Sequence, residues 1–257
     1  NKYFYLLTLI FFSVSSISQE KNIVIKSAGS FDRNQSLYPD GNILNESANK
    51  KVHLTHDNMD IFSKKSIFFQ KRNSFIATGN VHVKQGDSIN LFCDSLNYDG
   101  LTRKFSSYGS VKFINDEMEL NSNVLFFDRN ANEIYFNKNG KIIDSVSTIK
   151  SKEGKYFIDE KKYEFKENVI VENPDYKIRS NMMDYFLNSE ITLFYKFSTI
   201  ITDDYTIFCN EGFYDPQKKI GVFKKDAKVN SESRTIFGDS IFFDENKKYA
   251  SASRNIK

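Results

Sequence analysis

The chain has 257 residues and a net charge of +3, from 36 basic and 33 acidic side chains. This near balance disfavours a nucleic-acid-binding surface, which needs clustered positive charge. Aromatic residues are plentiful (25 Phe and 14 Tyr) and Pro is scarce (3), a composition typical of short β-strands joined by polar turns.

The first segment, residues 1–18, has the features of a secretory signal peptide. Lys2 precedes a largely apolar run over residues 3–14, and small residues lead to a cleavage point after Ser18. The run is too short to cross a bilayer comfortably. We therefore predict that the chain is exported, with a retained N-terminal anchor as the alternative.

Residues 19–50 follow as a predicted polar linker. They contain one short strand candidate at residues 23–25, and then a stretch rich in Asn and Ser that also contains Gly and Pro. The repeats begin after this segment, at residue 51.

A pattern that returns every 29 residues occupies residues 51–257. Its copies start at positions 65, 94, 123, 152, 181, 210 and 239, with an aromatic residue four positions after each start and an apolar residue three positions before it. In a strand, positions −3 and −1 share one face and positions +2 and +4 share one face, so the odd step between the pairs predicts a bend. A fixed period of this length is typical of a stacked array, in which neighbouring repeats complete one core.

A second half completes each repeat. It has a small or turn-forming residue before β-branched residues, as in residues 79–83, and a charged turn such as residues 99–103 separates it from the first half. The repeat is therefore predicted to be strand, turn, strand, bend, strand, and no stretch has a sustained helical period. We predict an elongated, all-β, solenoid-like stack in which helix is nearly absent.

The apolar side chains of the pattern are the candidate binding residues, because they are predicted to line one interior face. By itself the apolar stripe is most simply explained as a packed solenoid core. Gly154 and Gly212 replace larger side chains at position +2, and these gaps, together with the family resemblance given below, favour a groove that opens for an apolar ligand. A core filled by the protein's own side chains is the alternative. The candidate lining consists of Phe62, Phe69, Leu91, Leu96, Tyr98, Leu120, Leu125, Phe127, Ile149, Tyr156, Ile178, Met183, Tyr185, Ile207, Tyr214, Ile236, Ile241 and Phe243.

The order of these motifs resembles the OstA-like family. The resemblance is carried by G-x-V-x-V, as in residues 79–83, followed by an apolar-x-small-[D/N]-x-x-x-aromatic-D block, as in residues 91–99, repeated behind a signal peptide. The family includes the LptA-type periplasmic bridge proteins of lipopolysaccharide transport and the N-terminal domain of the outer-membrane LptD protein. The chain departs from the family pattern at Lys65, Lys152, Phe157 and Phe186.

The resemblance implies a twisted β-jellyroll with an apolar interior groove that holds the acyl chains of lipid A. It also implies a location in the periplasm, or at the outer membrane, and passage of lipopolysaccharide between the two membranes. The implied partners are lipopolysaccharide and other jellyroll modules joined by edge-strand addition, including copies of this chain arranged end to end. A structural or adhesive secreted β-solenoid with a self-filled core is the competing function.

Catalytic and metal sites are not indicated. His53 and His56 lie in one extended segment and are expected to point to opposite sides, and His82 is the third histidine. The sequence has no Gly-rich phosphate loop and no nucleophile elbow, nor the cluster of charged residues on one face that a polysaccharide-cleaving β-helix enzyme needs. We therefore predict no enzyme activity, no cofactor and no metal.

The two cysteines are predicted to remain unpaired. Cys93 and Cys209 occupy the same position of repeats that lie four apart. At a strand spacing of about 4.8 Å they are separated by roughly 19 Å along the stack, well beyond the ~7 Å Cα limit for a disulfide.

Overall fold

The computed structural model of the protein describes residues 22–253. The predicted signal peptide lies outside these residues. Within them the chain forms 23 β-strands and a single 3₁₀ helix, Gln70–Arg72, so the predicted all-β class is confirmed. Nothing helical in this part of the chain has the length and apolar character needed to cross a membrane.

The strands follow one another along the chain with short turns between them. They are β1 (Val24–Ser27), β2 (Ser30–Arg33), β3 (Asn42–Asn45), β4 (Val52–His56), β5 (Met59–Ser63), β6 (Lys65–Phe69), β7 (Ser74–Gln85), β8 (Ile89–Asp99), β9 (Lys104–Ile114), β10 (Glu119–Asp128), β11 (Glu133–Phe136), β12 (Gly140–Ile143), β13 (Thr148–Ser151), β14 (Glu153–Phe157), β15 (Lys162–Glu172), β16 (Lys177–Phe186), β17 (Thr192–Phe194), β18 (Ser198–Ile201), β19 (Thr206–Cys209), β20 (Glu211–Asp215), β21 (Ile220–Asn230), β22 (Thr235–Asp244) and β23 (Tyr249–Ser253).

These strands form one antiparallel sheet in which strands close in sequence pair with each other. Long strands such as β7, β8 and β9 pair along most of their length. Elsewhere two short strands together face one long strand, as β11 and β12 do against β10. The interruption lies opposite the middle of the long strand, where the sheet bends.

The bend predicted within the repeat is present. Pairing between β7 and β8 shifts register between Thr78 and Val81. The backbone of the bend enters the left-handed region, and Gly109 in β9 has a φ of 73°. A side chain at Gly109 would also collide with Asp94 on the neighbouring strand, so this position requires glycine.

Alternation of buried and accessible side chains gives the sheet an inner and an outer face. In β15, Tyr163 and Phe165 are buried while Glu164 and Lys166 are not. The inner-face side chains belong to one continuous apolar cluster that extends from the first strands to the last. The buried apolar side chains of a strand therefore point to the inner face, as expected for a sheet whose other face is solvated.

The segment predicted to be a polar linker with one strand contains three strands instead. β1 pairs with β4, β2 with β3, and β3 with β6, so residues 24–45 belong to the sheet. Polar residues form these strands because backbone pairing does not depend on an apolar side chain. The sequence thus indicated the first of these strands and missed the other two.

Candidate functional site

The apolar interior lies on the inner face of the folded sheet and contains most of the predicted lining. Phe127 and Ile236 are half-buried and pack against the core cluster. Lipid binding by these residues remains a prediction. The fully buried members of the predicted set are Leu91, Leu96, Tyr98, Leu120, Leu125, Ile149, Tyr156, Ile178, Met183, Tyr185, Ile207, Tyr214, Ile241 and Phe243.

Phe62 was predicted to line the interior, and this placement is wrong. It lies half-buried on the outer face, where its ring centroid is 4.4 Å from that of His53 and 6.2 Å from that of His82. Ile61 is the buried residue of this strand. Successive side chains of a strand point to opposite faces, so a shift of one residue moves the apolar side chain outwards.

Phe69 is displaced by the same one-residue shift. It is buried beneath the N-terminal segment at Gly41 and is not part of the core cluster, whereas Phe68 is. Phe68 pairs with Phe75 of β7, which in turn pairs with Tyr98 of β8. Phe68 is therefore the structural counterpart of Tyr98, and the first copy of the pattern is offset by one residue.

The gaps predicted at Gly154 and Gly212 are filled by neighbouring strands. A Cβ at position 154 would lie 2.4 Å from the ring of Phe136 and 3.1 Å from that of Phe165. A Cβ at position 212 would lie 2.3 Å from the backbone oxygen of Val222. These glycines make room for close packing with the neighbouring strands, so the missing side chains do not leave the predicted gaps.

The sequence pattern missed the aromatic residues contributed by the second half of each repeat. Their signal was the alternation of aromatic and polar residues in single strands, as in residues 163–166. They more than double the number of aromatic residues that the sequence pattern correctly placed in the interior. The buried residues of this group are Phe75, Phe105, Phe113, Phe136, Tyr163, Phe165, Phe194 and Phe223.

Two rows of turns lie at the opposite ends of the strands. β10, for example, begins after a turn at 115–118 and ends before a turn at 129–132. The first turn row consists of residues 57–58, 86–88, 115–118, 144–147, 173–176, 202–205 and 231–234. The second turn row consists of residues 70–73, 100–103, 129–132, 158–161, 187–191, 216–219 and 245–248.

The two rows meet, which shows that the sheet folds back on itself around the interior. Asp57 of the first row lies 2.9 Å from the guanidinium of Arg103 and 3.8 Å from that of Arg129, both in the second row. The Arg129 side chain is only 6% exposed, and it also donates to the backbone oxygen of Asp57 (3.2 Å) and to the hydroxyl of Tyr98 (3.4 Å). We call this line of contact the seam.

Further contacts extend the seam along the molecule. Glu117 of the first row pairs with Lys161 of the second and accepts a 3.2 Å hydrogen bond from the hydroxyl of Tyr156. In the next part, the hydroxyl of Tyr176 donates to Glu190 at 2.8 Å. Charged and hydroxyl groups thus close the side of the apolar interior.

Side chains hold the seam, and the backbone does not. Within residues 22–253, the backbone hydrogen bonds of the turns run within one row, as from Leu187 N to Lys161 O, and none joins the two rows. The strands themselves are held by continuous ladders. Separating the two rows would therefore leave strand pairing intact.

Tyrosine hydroxyls form the inner layer of the seam. Burial raises the pKa of Tyr98, Tyr156 and Tyr176, and it raises the pKa of Tyr185 to about 12. These groups therefore stay protonated at neutral pH, and the hydroxyls of Tyr156 and Tyr176 donate to the seam carboxylates Glu117 and Glu190.

The histidines do not converge on one site. His53 and His56 lie on opposite faces of β4, as predicted, and His56 is buried. In the described part of the chain, no three His, Cys, Asp or Glu side chains are grouped to hold a metal ion. The histidine contacts are His53 with Asp60 (2.7 Å), His56 with Tyr98 (2.6 Å) and His82 with Asn90 (2.9 Å).

The two cysteines are buried as free thiols. Burial raises the pKa of both Cys93 and Cys209 to about 12, and the charge of Asp94 adds to the effect at Cys93. Neither thiol is ionised at neutral pH, and both belong to the apolar core cluster.

An antiparallel sheet folded around an apolar interior, with a seam made by side chains, defines an all-β protein whose core can be reached without breaking strands. The chain belongs to the OstA-like protein family, whose model matches residues 20–181, so the predicted family is confirmed. Among solved structures it is similar to LptH, the LptA homologous periplasmic component of the conserved lipopolysaccharide transport device from Pseudomonas aeruginosa. That match has 17% sequence identity and a TM-score of 0.38, and it covers 42% of this chain and 82% of LptH. No curated protein matches the chain.

Proposed function

We propose that the protein binds lipopolysaccharide through its acyl chains and acts as a periplasmic bridge component in lipopolysaccharide transport. Membership of the OstA-like family supports this role, and so does the description of LptH as part of a transport device. The role is one of binding, without catalysis. The observation that carries the proposal is a continuous apolar interior closed along one side by side chains alone.

The free energies favour entry of lipid acyl chains into the interior through the seam. Exposed ion pairs contribute about 0–1 kcal/mol each, so parting the turn rows costs little except where a side chain such as Arg129 is buried. Each lipid CH₂ group that enters the interior contributes about 0.8 kcal/mol. A few acyl chains therefore offset the loss of the seam contacts, whereas breaking a strand ladder would cost many backbone hydrogen bonds.

A matched pair of positions on β19 tests the proposal. Ile207 is fully buried in the interior, and Phe208 follows it on the outer face. A photo-reactive residue at 207 is expected to crosslink to lipopolysaccharide in living cells, and one at 208 is not. Equal labelling at both positions, with the fold intact, would refute binding in the interior.

A structural β-solenoid with a self-filled core is the second candidate, and the packing of Phe136 against Gly154 favours it. The two candidates differ in what accompanies the purified protein. Lipopolysaccharide that co-purifies and is displaced by detergent supports the carrier. A lipid-free protein that takes up no lipopolysaccharide supports the structural role.

We further propose that other jellyroll modules, including copies of this chain, add to the sheet beside β23. Among the described residues β23 pairs with β22 alone, and an edge of this kind can receive an added strand. Sedimentation across a hundredfold range of protein concentration tests this. Association that is lost when Pro replaces Ser251 supports end-to-end joining, and a monomer at all concentrations argues against it.

A further inference from the structure

A cavity of about 210 Å³ opens in the seam near its C-terminal end. It lies between turns 173–176 and 202–205 of the first row and turns 187–191, 216–219 and 245–248 of the second, and we call it the seam pocket. Its walls combine apolar, neutral polar and charged groups. The lining consists of Val146, Asn173, Pro174, Asp175, Tyr176, Glu190, Thr202, Tyr214, Pro216, Gln217, Lys219 and Glu245.

The seam pocket differs from the rest of the seam in its charge. Elsewhere a carboxylate of the first turn row faces Arg or Lys of the second. Here Asp175 of the first row faces Glu190 and Glu245 of the second, and these three carboxylates form no ion pair among the described residues. Lys219 is the one cation in the lining, so negative charge is in excess.

A tyrosine hydroxyl in the lining also lacks a protein partner. Tyr214 is 2% exposed, and its hydroxyl makes no hydrogen bond within residues 22–253. Tyr214 lines the pocket together with Asp175, Glu190 and Glu245. Burial raises the pKa of Tyr214, and the charges of Glu245 and Asp175 raise it further. The hydroxyl oxygen is not among the buried unpaired atoms of the described residues, so it is accessible from the pocket and can hydrogen-bond to a ligand there.

The surroundings of Glu245 also favour a positively charged ligand. Burial raises its pKa, and the carboxylates of Asp204, Asp203 and Asp175 add to this against the charge of Lys219. A second positive charge in the pocket would relieve the repulsion and stabilise the ionised form.

We propose that the seam pocket binds a primary ammonium group, carried by a small hydroxylated compound or by a lipid headgroup. The ammonium N–H groups donate to Glu245 and to the Tyr214 hydroxyl. The neutral side chains of Asn173, Thr202 and Gln217 meet hydroxyl groups of the ligand. A quaternary ammonium has the same charge but no N–H donor, and the pocket discriminates against it. This site does not depend on lipid carriage in the interior.

Calorimetric titration of the lipid-free protein with ethanolamine and with choline tests the proposal without any substitution. Ethanolamine is expected to bind at least about tenfold more tightly than choline, because hydrogen bonds to charged groups are among the stronger ones. Equal affinity for the two compounds overturns the proposed recognition.

Substitutions assign the binding to this pocket. Tyr214→Phe removes the hydroxyl and keeps the ring, and Glu245→Gln removes the charge; each is expected to weaken ethanolamine binding about fivefold or more. Tyr163→Phe is the control, since the Tyr163 hydroxyl likewise makes no hydrogen bond but does not line the pocket. Unchanged affinity in both pocket variants, with their thermal unfolding like that of the wild type, places any binding elsewhere and overturns the assignment.

An experiment with lipid vesicles identifies the source of the ammonium group. Sedimentation with phosphatidylethanolamine vesicles, compared with phosphatidylcholine vesicles, measures recognition of a lipid headgroup. Selective binding to phosphatidylethanolamine or to free ethanolamine, lost in Tyr214→Phe, supports the proposal and names the source. Binding to neither refutes it and leaves the carrier function untouched.

Discussion

The ring of Phe136 lies over two glycines, and Gly154→Ala tests how tightly this part of the core is packed. A Cβ at 154 would lie 2.4 Å from Cζ of Phe136, and a Cβ at Gly140 would lie 2.3 Å from the same atom. Phe136 is 3% exposed, so its ring has little space into which to move. Overpacking of this kind costs about 1–3 kcal/mol, which exceeds the ~0.4–1 kcal/mol that Ala gains over Gly through the unfolded state.

Urea unfolding followed by circular dichroism measures this cost as a lower midpoint with an unchanged m value. Gly238→Ala is the control, because its Cβ would lie no closer than 3.2 Å to any neighbour, and its effect should be smaller. In a Phe136→Leu background, Gly154→Ala should cost at least about 0.5 kcal/mol less, since the two residues are in contact. Equal costs in both backgrounds, or a more stable Gly154→Ala protein, would refute the reasoning.

Three other predictions concern the seam and buried titratable groups. Arg129→Ala should lower the unfolding free energy by about 1–3 kcal/mol, because the backbone oxygen of Asp57 and the hydroxyl of Tyr98 each lose the hydrogen bond that Arg129 donates. Ala at Lys218, which is 72% exposed, should have almost no effect in the same urea assay. Cys93 and Cys209 should react with a thiol reagent at pH 8 far more slowly in the native protein than in urea; rapid native labelling would contradict their burial. Burial raises the pKa of Asp184, so its charge opposes folding at neutral pH, and Asp184→Asn should stabilise the protein at pH 7. The gain should vanish as pH falls below the ordinary pKa of Asp, where the carboxyl is neutral in both states, and a gain that persists there would point to another cause.

The periodic apolar pattern was sufficient to place most interior residues, because it depends on alternation within a strand. Tyr185 and Ile178 are both fully buried, as their positions in the pattern require. The pattern failed where the period slips by one residue, as at Phe62 and Phe69. A one-residue shift turns a side chain to the other face of the sheet. It does not change the composition of the strand, so composition cannot reveal it.

Contacts that depend on how the sheet folds could not be predicted from the sequence. Arg129 reaches Asp57 across 72 positions of the chain, and no local pattern sets such a distance. The same limit applies to Gly154, which seemed to leave a gap until the neighbouring strand placed Phe136 against it. Residue type shows which side chains are apolar. Which of them pack against each other depends on the geometry of the folded sheet.

The pairing of strands that are close in sequence has a consequence for how the protein folds. Long strands such as β7, β8 and β9 follow one another through short turns, and each pairs with its neighbours in the chain. A sheet of this kind behaves as a one-dimensional array in which structure nucleates at one hairpin and spreads to its neighbours. Loss of one strand should then loosen the adjacent strands first, and amide exchange rates should differ from one end of the array to the other rather than reporting a single global opening.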